Sequence, residues 1–441
     1  MFRPFFFVLW IQIAVQFTLD PTFSSGMICA ISFPDLCHTG RHSIIAKLPN
    51  ISSFNIDVMK FLLFDPGKKN KTAYQRSNAR QDWVSNIILF LSILLGIVLL
   101  TSCSNLFTKK KQLSKSVVVY PAPPEVARFQ FLTKITSSLD IGSSQSGFSK
   151  LILGEEKARA IVKPYGIAIH KGKIYVCDNY GGGMEIIDLE KKKFIFFQPG
   201  GRGKLKVPIN CFVDEQGYLY VADMGRYEIV IFDPEGNFVR SFGEKEKFKP
   251  SDVFVLENKI FVANISTGKI AVYSNDSLNT FLYSFPKAEG ERYEALGLPT
   301  NITIAKNKVY AADFGYSMVK MYSTDGTFLD TMGSMGDRPG QFTKLKGIAV
   351  DEEENIFTVD AAFENVQVFN KDKKLLIVLG GHYKGAGDLM IPAKVIVDYD
   401  NLSYFQKYVD PAFELKYLVF VTSQYGPDLI NVYGRVEARI K

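Results

Sequence analysis

The sequence predicts an all-β fold, a six-bladed β-propeller of four-stranded antiparallel blades, on three observations. Aromatic residues make up 13% of the chain and charged residues only 22%, a balance that favours sheets around large buried rings. A pattern of short strands recurs six times in the C-terminal part of the chain. The sixth copy lacks one strand, and a lone strand-like segment before the first copy can supply it.

The repeat becomes visible when the chain is aligned on itself. Each copy contains four short apolar or alternating segments, strands a to d, separated by turn residues such as those at 324–326. Successive copies open 42 to 49 residues apart, which is the length of a propeller blade. One sheet of this size cannot bury both faces alone, so the copies are expected to stack around an axis. The opening residues are Pro164, Pro208, Pro250, Pro299, Leu345 and Pro392.

The two ends of the repeat region are expected to complete one blade. The sixth copy has only strands a, b and c, whereas residues 128–136 (RFQFLTKIT) match the d strands of the other copies. Pairing this segment as the outermost strand of the last blade closes the ring and removes two sheet edges. The sixth copy also has a longer connection between strands a and b, predicted at 398–416.

The residue order within a copy resembles the NHL repeat. It runs P-x-x-apolar-x-apolar, then Y/F-V-A-D at the end of strand b, then V-x-[VI]-[FY]-[DSN] and a short turn. The resemblance covers about residues 128–434 and is best in the first four copies. It implies a scaffold for binding or sensing more often than a catalyst. Some related propellers are lyases, lactonases or amidating enzymes, whose central metal is held by histidines and acids.

A membrane-targeting signal precedes the repeats. Residues 84–100 form an uncharged apolar run, and the next residues, Thr101-Ser102-Cys103, complete a motif that resembles the bacterial lipobox. The resemblance implies a lipid on Cys103. The alternative is an uncleaved signal anchor, since about 17 to 25 apolar residues span a bilayer as a helix. Basic residues typical of a signal peptide come before the run: Lys68, Lys69, Lys71, Arg76 and Arg80.

These features divide the chain into four segments. Residues 1–58 are predicted to arise from a start site assigned too early, with Met59 the true beginning; a genuine first transmembrane helix is the alternative. Residues 59–102 form the signal peptide or membrane segment, 103–127 a flexible tether, and 128–436 the propeller. Ser104 after the cysteine suggests the outer membrane, so we expect a bacterial cell-envelope protein, lipid-anchored on the outer-membrane or periplasmic side.

Charge and cysteine content argue against several partners and cofactors. The net charge of +7 is spread among acidic residues and makes no basic stripe, so no nucleic-acid partner is expected. The five cysteines form no C-x-x-C pair and no cluster with histidine, so neither a zinc site nor a cofactor is expected. Cys177 and Cys211 lie on adjoining copies and are predicted to be buried free thiols, with a disulfide as the alternative.

Short polar residues recur at the end of strand b. We interpret them as structural acceptors for backbone N–H groups, because a feature present in every blade points to architecture; a metal or acid/base site is the alternative. His382 is the only histidine expected on the face where ligands bind, and one histidine cannot supply a metal shell, so no catalytic or metal-binding residue is predicted. The acceptors are Asp178, Asp223, Asn264, Asp313 and Asp360, with Ser423 at the same position of the sixth copy.

One face of the ring, formed by the loops between strands b and c and between d and the next a, is rich in tyrosine and arginine, which often anchor protein interfaces. We term it the loop face. The leading hypothesis is a non-enzymatic binding propeller that presents this face to a protein or envelope polymer. The alternative is a metal-dependent lyase or hydrolase that uses the central channel. The candidate partner-binding residues are Tyr180, Arg202, Arg226, Tyr227, Tyr316, Arg338, Phe363, His382, Tyr383 and Tyr425.

Overall fold

The computed structural model of the protein describes residues 90–92, 117–142, 158–178, 180–243, 247–287 and 293–439. The chain divides into two compact units, Met1–Lys111 and Gln112–Lys441. In the first unit the described residues 90–92 are helical. Segment 1–58, the rest of segment 59–102, and residues 103–116, including Cys103, lie outside the described residues. No helix in the described ranges has both the length and the apolar character needed to cross a membrane.

The second unit consists of antiparallel sheets, one for each predicted blade, so the predicted six-bladed propeller is confirmed. Each blade follows the order a, b, c, d from the inner to the outer strand. The strands of blades 1 to 3 are β3 (Pro164–His170), β4 (Lys173–Asp178), β5 (Gly183–Asp188), β6 (Lys193–Phe197), β7 (Pro208–Val213), β8 (Leu219–Asp223), β9 (Glu228–Phe232), β10 (Phe238–Phe242), β11 (Pro250–Leu256), β12 (Lys259–Asn264), β13 (Lys269–Ser274) and β14 (Phe281–Phe285).

The remaining blades repeat this arrangement, and blade 6 also takes in the two strands that come first in the described sequence of this unit. The strands of blades 4 to 6 are β15 (Pro299–Ala305), β16 (Lys308–Asp313), β17 (Met318–Ser323), β18 (Phe328–Met332), β19 (Leu345–Val350), β20 (Ile356–Asp360), β21 (Asn365–Phe369), β22 (Leu375–Gly380), β23 (Pro392–Asp398), β24 (Phe413–Ser423), β25 (Ile430–Ala438), β2 (Phe129–Ile135) and β1 (Val119–Tyr120).

Ring closure occurs as the sequence predicts. Strand β2 pairs antiparallel with β25, with Phe131 opposite Tyr433 and Ile135 opposite Ile430. Strand β1 then adds a fifth, outer strand through pairing with β2. The Tyr120 hydroxyl donates a hydrogen bond of 2.8 Å to the carbonyl oxygen of Gly387, which fixes β1 further. Residues 117–127, which the sequence assigns to the tether, therefore include a strand of the last blade.

The hydrophobic core lies between neighbouring blades. Strands b and c of most blades are buried along nearly their whole length, because each blade covers one face of the next. One cluster, for example, joins Phe261 and Val272 of blade 3 to Ile302 and Val309 of blade 4. The innermost strands contact one another in succession around the ring, and β23 contacts β3. The apolar faces of all six blades are thereby covered.

A β-bulge recurs at the start of strand a in every blade. The register with strand b shifts within the first four residues of β3, β7, β11, β15, β19 and β23. A bulge changes the direction of the side chains beside it. The polar residues at the third position of strand a, discussed below, lie within or beside these bulges.

The connection between strands a and b of blade 6 is shorter than predicted, because strand b begins at Phe413 rather than after residue 416. It contains helix α1 (Leu402–Phe405) and a 3-10 turn (Gln406–Tyr408), and Phe405 is buried. The side-chain oxygen of Asn401 accepts a hydrogen bond of 2.7 Å from the Gly172 amide of blade 1. The connection thus links the last blade to the first on the face opposite the loop face, which we term the turn face.

We expect substitution of Leu132 to loosen the ring closure. Its side chain is only 5% exposed and packs in the core cluster shared by blades 6 and 1. Leu132→Ala removes this packing and should lower the free energy of unfolding by about 2 to 4 kcal/mol. Urea denaturation measures the change, with Val126→Ala as the control because Val126 is 76% exposed. Equal midpoints for the two variants would contradict a role for β2 in the core.

Candidate functional site

The polar residues at the end of strand b hold the loop face together. Asp223 accepts hydrogen bonds from the amides of Lys206 and Val207, which precede strand a, and from those of Gly225 and Arg226, which follow strand b. The distances are 2.6 to 3.0 Å. Both carboxylate oxygens are therefore engaged with backbone. The equivalent side chains of Asp178, Asn264, Asp313 and Asp360 make the same two sets of contacts.

These contacts leave the acceptors poorly suited to hold a metal ion. A carboxylate that already accepts several amide hydrogen bonds has few lone pairs left for a cation. No group of three or more histidine, cysteine or acidic residues in the described part of the chain is arranged to hold a metal. Cys177 and Cys211 are buried and free, with the Cys211 sulfur 3.8 Å from the carbonyl oxygen of Tyr175.

The ten candidate partner-binding residues all lie in the loops of the loop face, but their surroundings differ. Tyr180 and Tyr425 are 79% and 48% exposed, and Arg338 is exposed as well. Arg226 is held inside the blade 2 loops, where its guanidinium donates to Glu228 and to the carbonyl oxygen of Arg202. The other members (Arg202, Tyr227, Tyr316, Phe363, His382 and Tyr383) are at least partly exposed.

Some of these residues have partners within the protein. The Tyr316 ring lies 4.5 Å from the Lys320 ammonium, and the Tyr383 hydroxyl donates to Asp428 at 3.3 Å. His382 contacts the Glu364 carboxylate through Nδ1. The structure therefore distributes the predicted set around the face and brings only a few members together.

A group of basic and aromatic residues surrounds the channel opening on the loop face. The Lys163 ammonium lies 5.0 Å from the centre of the Tyr425 ring, and the Lys346 ammonium lies 5.7 Å from that of Tyr165. Lys346 also donates a hydrogen bond of 2.9 Å to the side chain of Gln424, the neighbour of Tyr425. We define the basic mouth as Lys163, Tyr165, Lys344, Lys346, Gln424 and Tyr425.

The positive charge of the basic mouth is not neutralised locally. In the described part of the chain, no carboxylate lies within ion-pair distance of the ammonium groups of Lys163, Lys344 or Lys346. Burial, with Lys344 and Lys163 nearby, lowers the pKa of Lys346 to about 8. Mutual repulsion of this kind favours the binding of an anion, because the anion relieves it.

The middle of the channel contains a layer of polar side chains from strand a. We define the polar layer as Asn210, Asp252, Asn301 and Lys394, which occupy the third position of strand a in blades 2, 3, 4 and 6. The Lys394 ammonium donates to both carboxylate oxygens of Asp252 at 2.8 and 3.0 Å, although the two residues come from opposite blades. This ion pair spans the channel between blades 3 and 6.

The ion pair is almost completely buried, with the side chains of Lys394 and Asp252 8% and 0% exposed. Burial raises the pKa of the Asp252 carboxyl, while Lys394 and the amides of Ile302 and Val253 act in the opposite direction. Other side chains of the polar layer lack some of their hydrogen bonds. Neither polar side-chain atom of Asn301 has a hydrogen-bond partner, and the same holds for the side-chain oxygen of Asn210.

A cavity of about 400 Å³ opens from this layer to the turn face. Lys394 forms part of its lining, and Glu352, Asp398, Tyr399 and Asp400 line it near the turns. Every blade contributes an apolar residue to the wall: Ile167, Phe212, Phe254, Ile302, Ile348 and Val395. The central channel therefore has a basic opening on one face and an apolar cavity with acidic residues on the other.

Sequence reasoning missed both channel sites. A signal for the basic mouth exists, since lysine stands directly before strand a in blades 1, 3 and 5, at Lys163, Lys249 and Lys344. The polar layer has a weaker signal, the change of residue type at the third position of strand a. These two signals appear only when the six copies are compared at each position and the residues that differ between them are noted.

The fold and the channel define the chain as a six-bladed β-propeller. No family model matches it, and no curated protein does. Among solved structures it is similar to a streptogramin B lyase, with 12% identity and a TM-score of 0.43, over 63% of this chain and 84% of that chain.

Two structures of virginiamycin B lyase from Staphylococcus aureus are also similar, each with 11% identity. The selenomethionine-substituted enzyme has a TM-score of 0.42 over 64% of this chain and 86% of that chain. A catalytically inactive variant with quinupristin has a TM-score of 0.43 over 62% of this chain and 84% of that chain. Likeness at this level concerns the arrangement of strands and does not transfer an activity.

We expect the ring to lose stability when one partner of the Asp252–Lys394 pair is removed and the other is left buried. Lys394→Met leaves the buried Asp252 carboxylate without its counter-ion and should destabilise the protein by about 3 to 5 kcal/mol. The double variant Asp252→Asn/Lys394→Met, which removes both charges, should recover much of this loss. Urea midpoints measure both effects, with the exposed Lys374→Met as control. The expectation fails if Lys394→Met behaves like the control.

Proposed function

We propose that the chain is a non-enzymatic binding propeller of the NHL-repeat type, a bacterial lipoprotein anchored on the outer-membrane or periplasmic side of the cell envelope. Its loop face binds an acidic group of a protein or envelope polymer. The observation that carries this proposal is the basic mouth, in which Lys163, Lys344 and Lys346 lack carboxylate partners among the described residues.

The chemistry of the basic mouth suits a carboxylate or phosphate group. Ammonium groups donate charge-assisted hydrogen bonds to such anions, and Gln424 can add a neutral donor once it reorients. Tyr425 offers an exposed ring beside the lysines, on which a sugar or an apolar side chain can pack. The exposed members of the candidate set, such as Tyr180 and Arg338, lie further out on the same face and would widen the contact.

The contacts of the strand-b acceptors count against the alternative of a metal-dependent lyase or hydrolase. The carboxylates of Asp223, Asp313 and Asp360 accept hydrogen bonds from backbone amides that precede strand a and from amides that follow strand b. Using them as metal ligands would break the hydrogen bonds that hold the loops. A binding role needs no such rearrangement, because the basic mouth is formed by side chains that leave these contacts intact.

Removing charge from the basic mouth should weaken the binding of a polyanion. Fluorescence anisotropy with labelled polyglutamate and the full chain is the measurement. The triple variant Lys163→Gln/Lys344→Gln/Lys346→Gln should bind at least about tenfold more weakly and with a smaller dependence on salt. Binding to the wild type should also weaken as pH rises through about 8, because Lys346 then loses its proton.

The control is a second triple variant with the same change in charge. Lys193, Lys371 and Lys374 are exposed and lie on strand d or in the turns away from the loop face, so their replacement by glutamine should leave binding nearly unchanged. If the two triple variants lose affinity equally, the binding reflects net charge, and the basic mouth has no specific role.

Lipid attachment is tested separately from ligand binding. We expect cells that express the full chain to incorporate an alkyne-tagged fatty acid into it, and Cys103→Ser to abolish this incorporation because the thioether cannot form. Cys177→Ser is the matched control, since Cys177 is buried in blade 1. A wild-type chain that stays unlabelled would refute the proposed anchor and leave the signal anchor as the explanation of the apolar run, whereas labelling that survives in Cys103→Ser would place the lipid on another residue.

A further inference from the structure

The cavity on the turn face has the size and composition of a small-molecule site. Its volume of about 400 Å³ falls in the range of ligand pockets, whose walls are mostly apolar with a few polar groups. The rings of Phe212 and Phe254 pack with their centres 4.6 Å apart, and both residues line the wall. Aliphatic residues complete the wall on the other blades.

The polar layer at the inner end of the cavity has unused hydrogen-bonding capacity. Lys394 is the member of the polar layer that lines the cavity. Lys394 uses its ammonium on Asp252 and, with three donors, retains capacity for one more acceptor. A ligand oxygen fits this end.

The outer end of the cavity carries acidic residues. Glu352 and Asp400 are exposed there, and Asp398 is held by Asn401 in the same connection. The charged residues that line the cavity are therefore Glu352, Asp398 and Asp400 against Lys394. Since Asp252 already compensates Lys394, the net charge facing the opening is negative.

We propose that the turn-face cavity binds a small organic cation with an apolar body, a protonated amine that meets Glu352 and Asp400, and a hydroxyl or carbonyl oxygen that reaches Lys394. The aromatic wall favours this class, because the faces of aromatic rings attract cations and pack against flat apolar groups. The site is separate from the basic mouth, which selects the opposite charge, so the two proposals stand or fall independently.

Three probes of similar shape test the charge requirement. Tyramine has a ring, a hydroxyl and a protonated amine; 4-ethylphenol lacks the amine; and 3-(4-hydroxyphenyl)propionate carries a carboxylate instead. Calorimetric titration of the full chain should show saturable binding of tyramine, binding of 4-ethylphenol weaker by at least about fivefold, and no binding of the acid. Equal affinity for tyramine and 4-ethylphenol, or no saturable binding of tyramine, overturns the proposal.

Two variants locate the binding. Thr303 lines the cavity at the strand position that Phe212 and Phe254 occupy in blades 2 and 3, so Thr303→Phe fills space with a residue that this position accommodates elsewhere. It should abolish tyramine binding without lowering the urea midpoint. Glu352→Gln/Asp400→Asn should weaken tyramine at least about fivefold and leave 4-ethylphenol unchanged.

The exposed Asp337→Asn on the loop face is the control for charge and should bind tyramine like the wild type. Tyramine binding that persists in Thr303→Phe, or that falls as much in Asp337→Asn as in Glu352→Gln/Asp400→Asn, places the ligand elsewhere and overturns the assignment of the cavity.

Discussion

The structure depends on the fact that no blade can bury its own two faces. Strands b and c are apolar on both sides, as in β8 and β20, where every residue is buried. Such a sheet is stable only between two others, so an open row of blades would expose one apolar face at each end. Strand β2 resolves this by completing the last blade with residues from the beginning of the ring. The polar channel sites exist because this closure brings all six innermost strands around one axis.

Residues that recur in the blades of this chain serve its architecture, whereas residues that differ between blades are the candidates for function. The strand-b acceptors occur in five blades and make equivalent backbone contacts in each, so their conformational task is the same everywhere. The third position of strand a, by contrast, differs from blade to blade. It is glycine at Gly166 and Gly347, where a side chain would collide with the neighbouring strand, and polar or charged in the other four blades. The residue type at this position differs between blades while the backbone around it stays the same. Such a position can therefore contribute to a specific site without altering the fold.

The sequence was sufficient to predict the architecture, but it was insufficient to predict the polar residues of the channel. Strand patterns of period two and copies of 42 to 49 residues predict the blades, because both are local features of the chain. Asp252 and Lys394 are separated by 142 residues, and only the angular placement of blades 3 and 6 on opposite sides of the axis brings them together. The basic mouth likewise combines residues of blades 1, 5 and 6. Helix α1 escaped prediction for another reason, since four residues are too few to show helical periodicity.

The Asp252–Lys394 pair also explains how one channel can have two openings of opposite character. A buried charge without a counter-ion would extend its field along the low-dielectric channel and would act on ligands at both ends. Because the pair compensates itself, Lys163 and Lys346 control the potential at the loop face, whereas Glu352 and Asp400 control it at the turn face. The buried pair therefore lets each opening keep the charge of its own residues. In the proposals made above, the ring binds an acidic group at the loop face and a cation at the turn face, and the compensated pair keeps the two sites from competing.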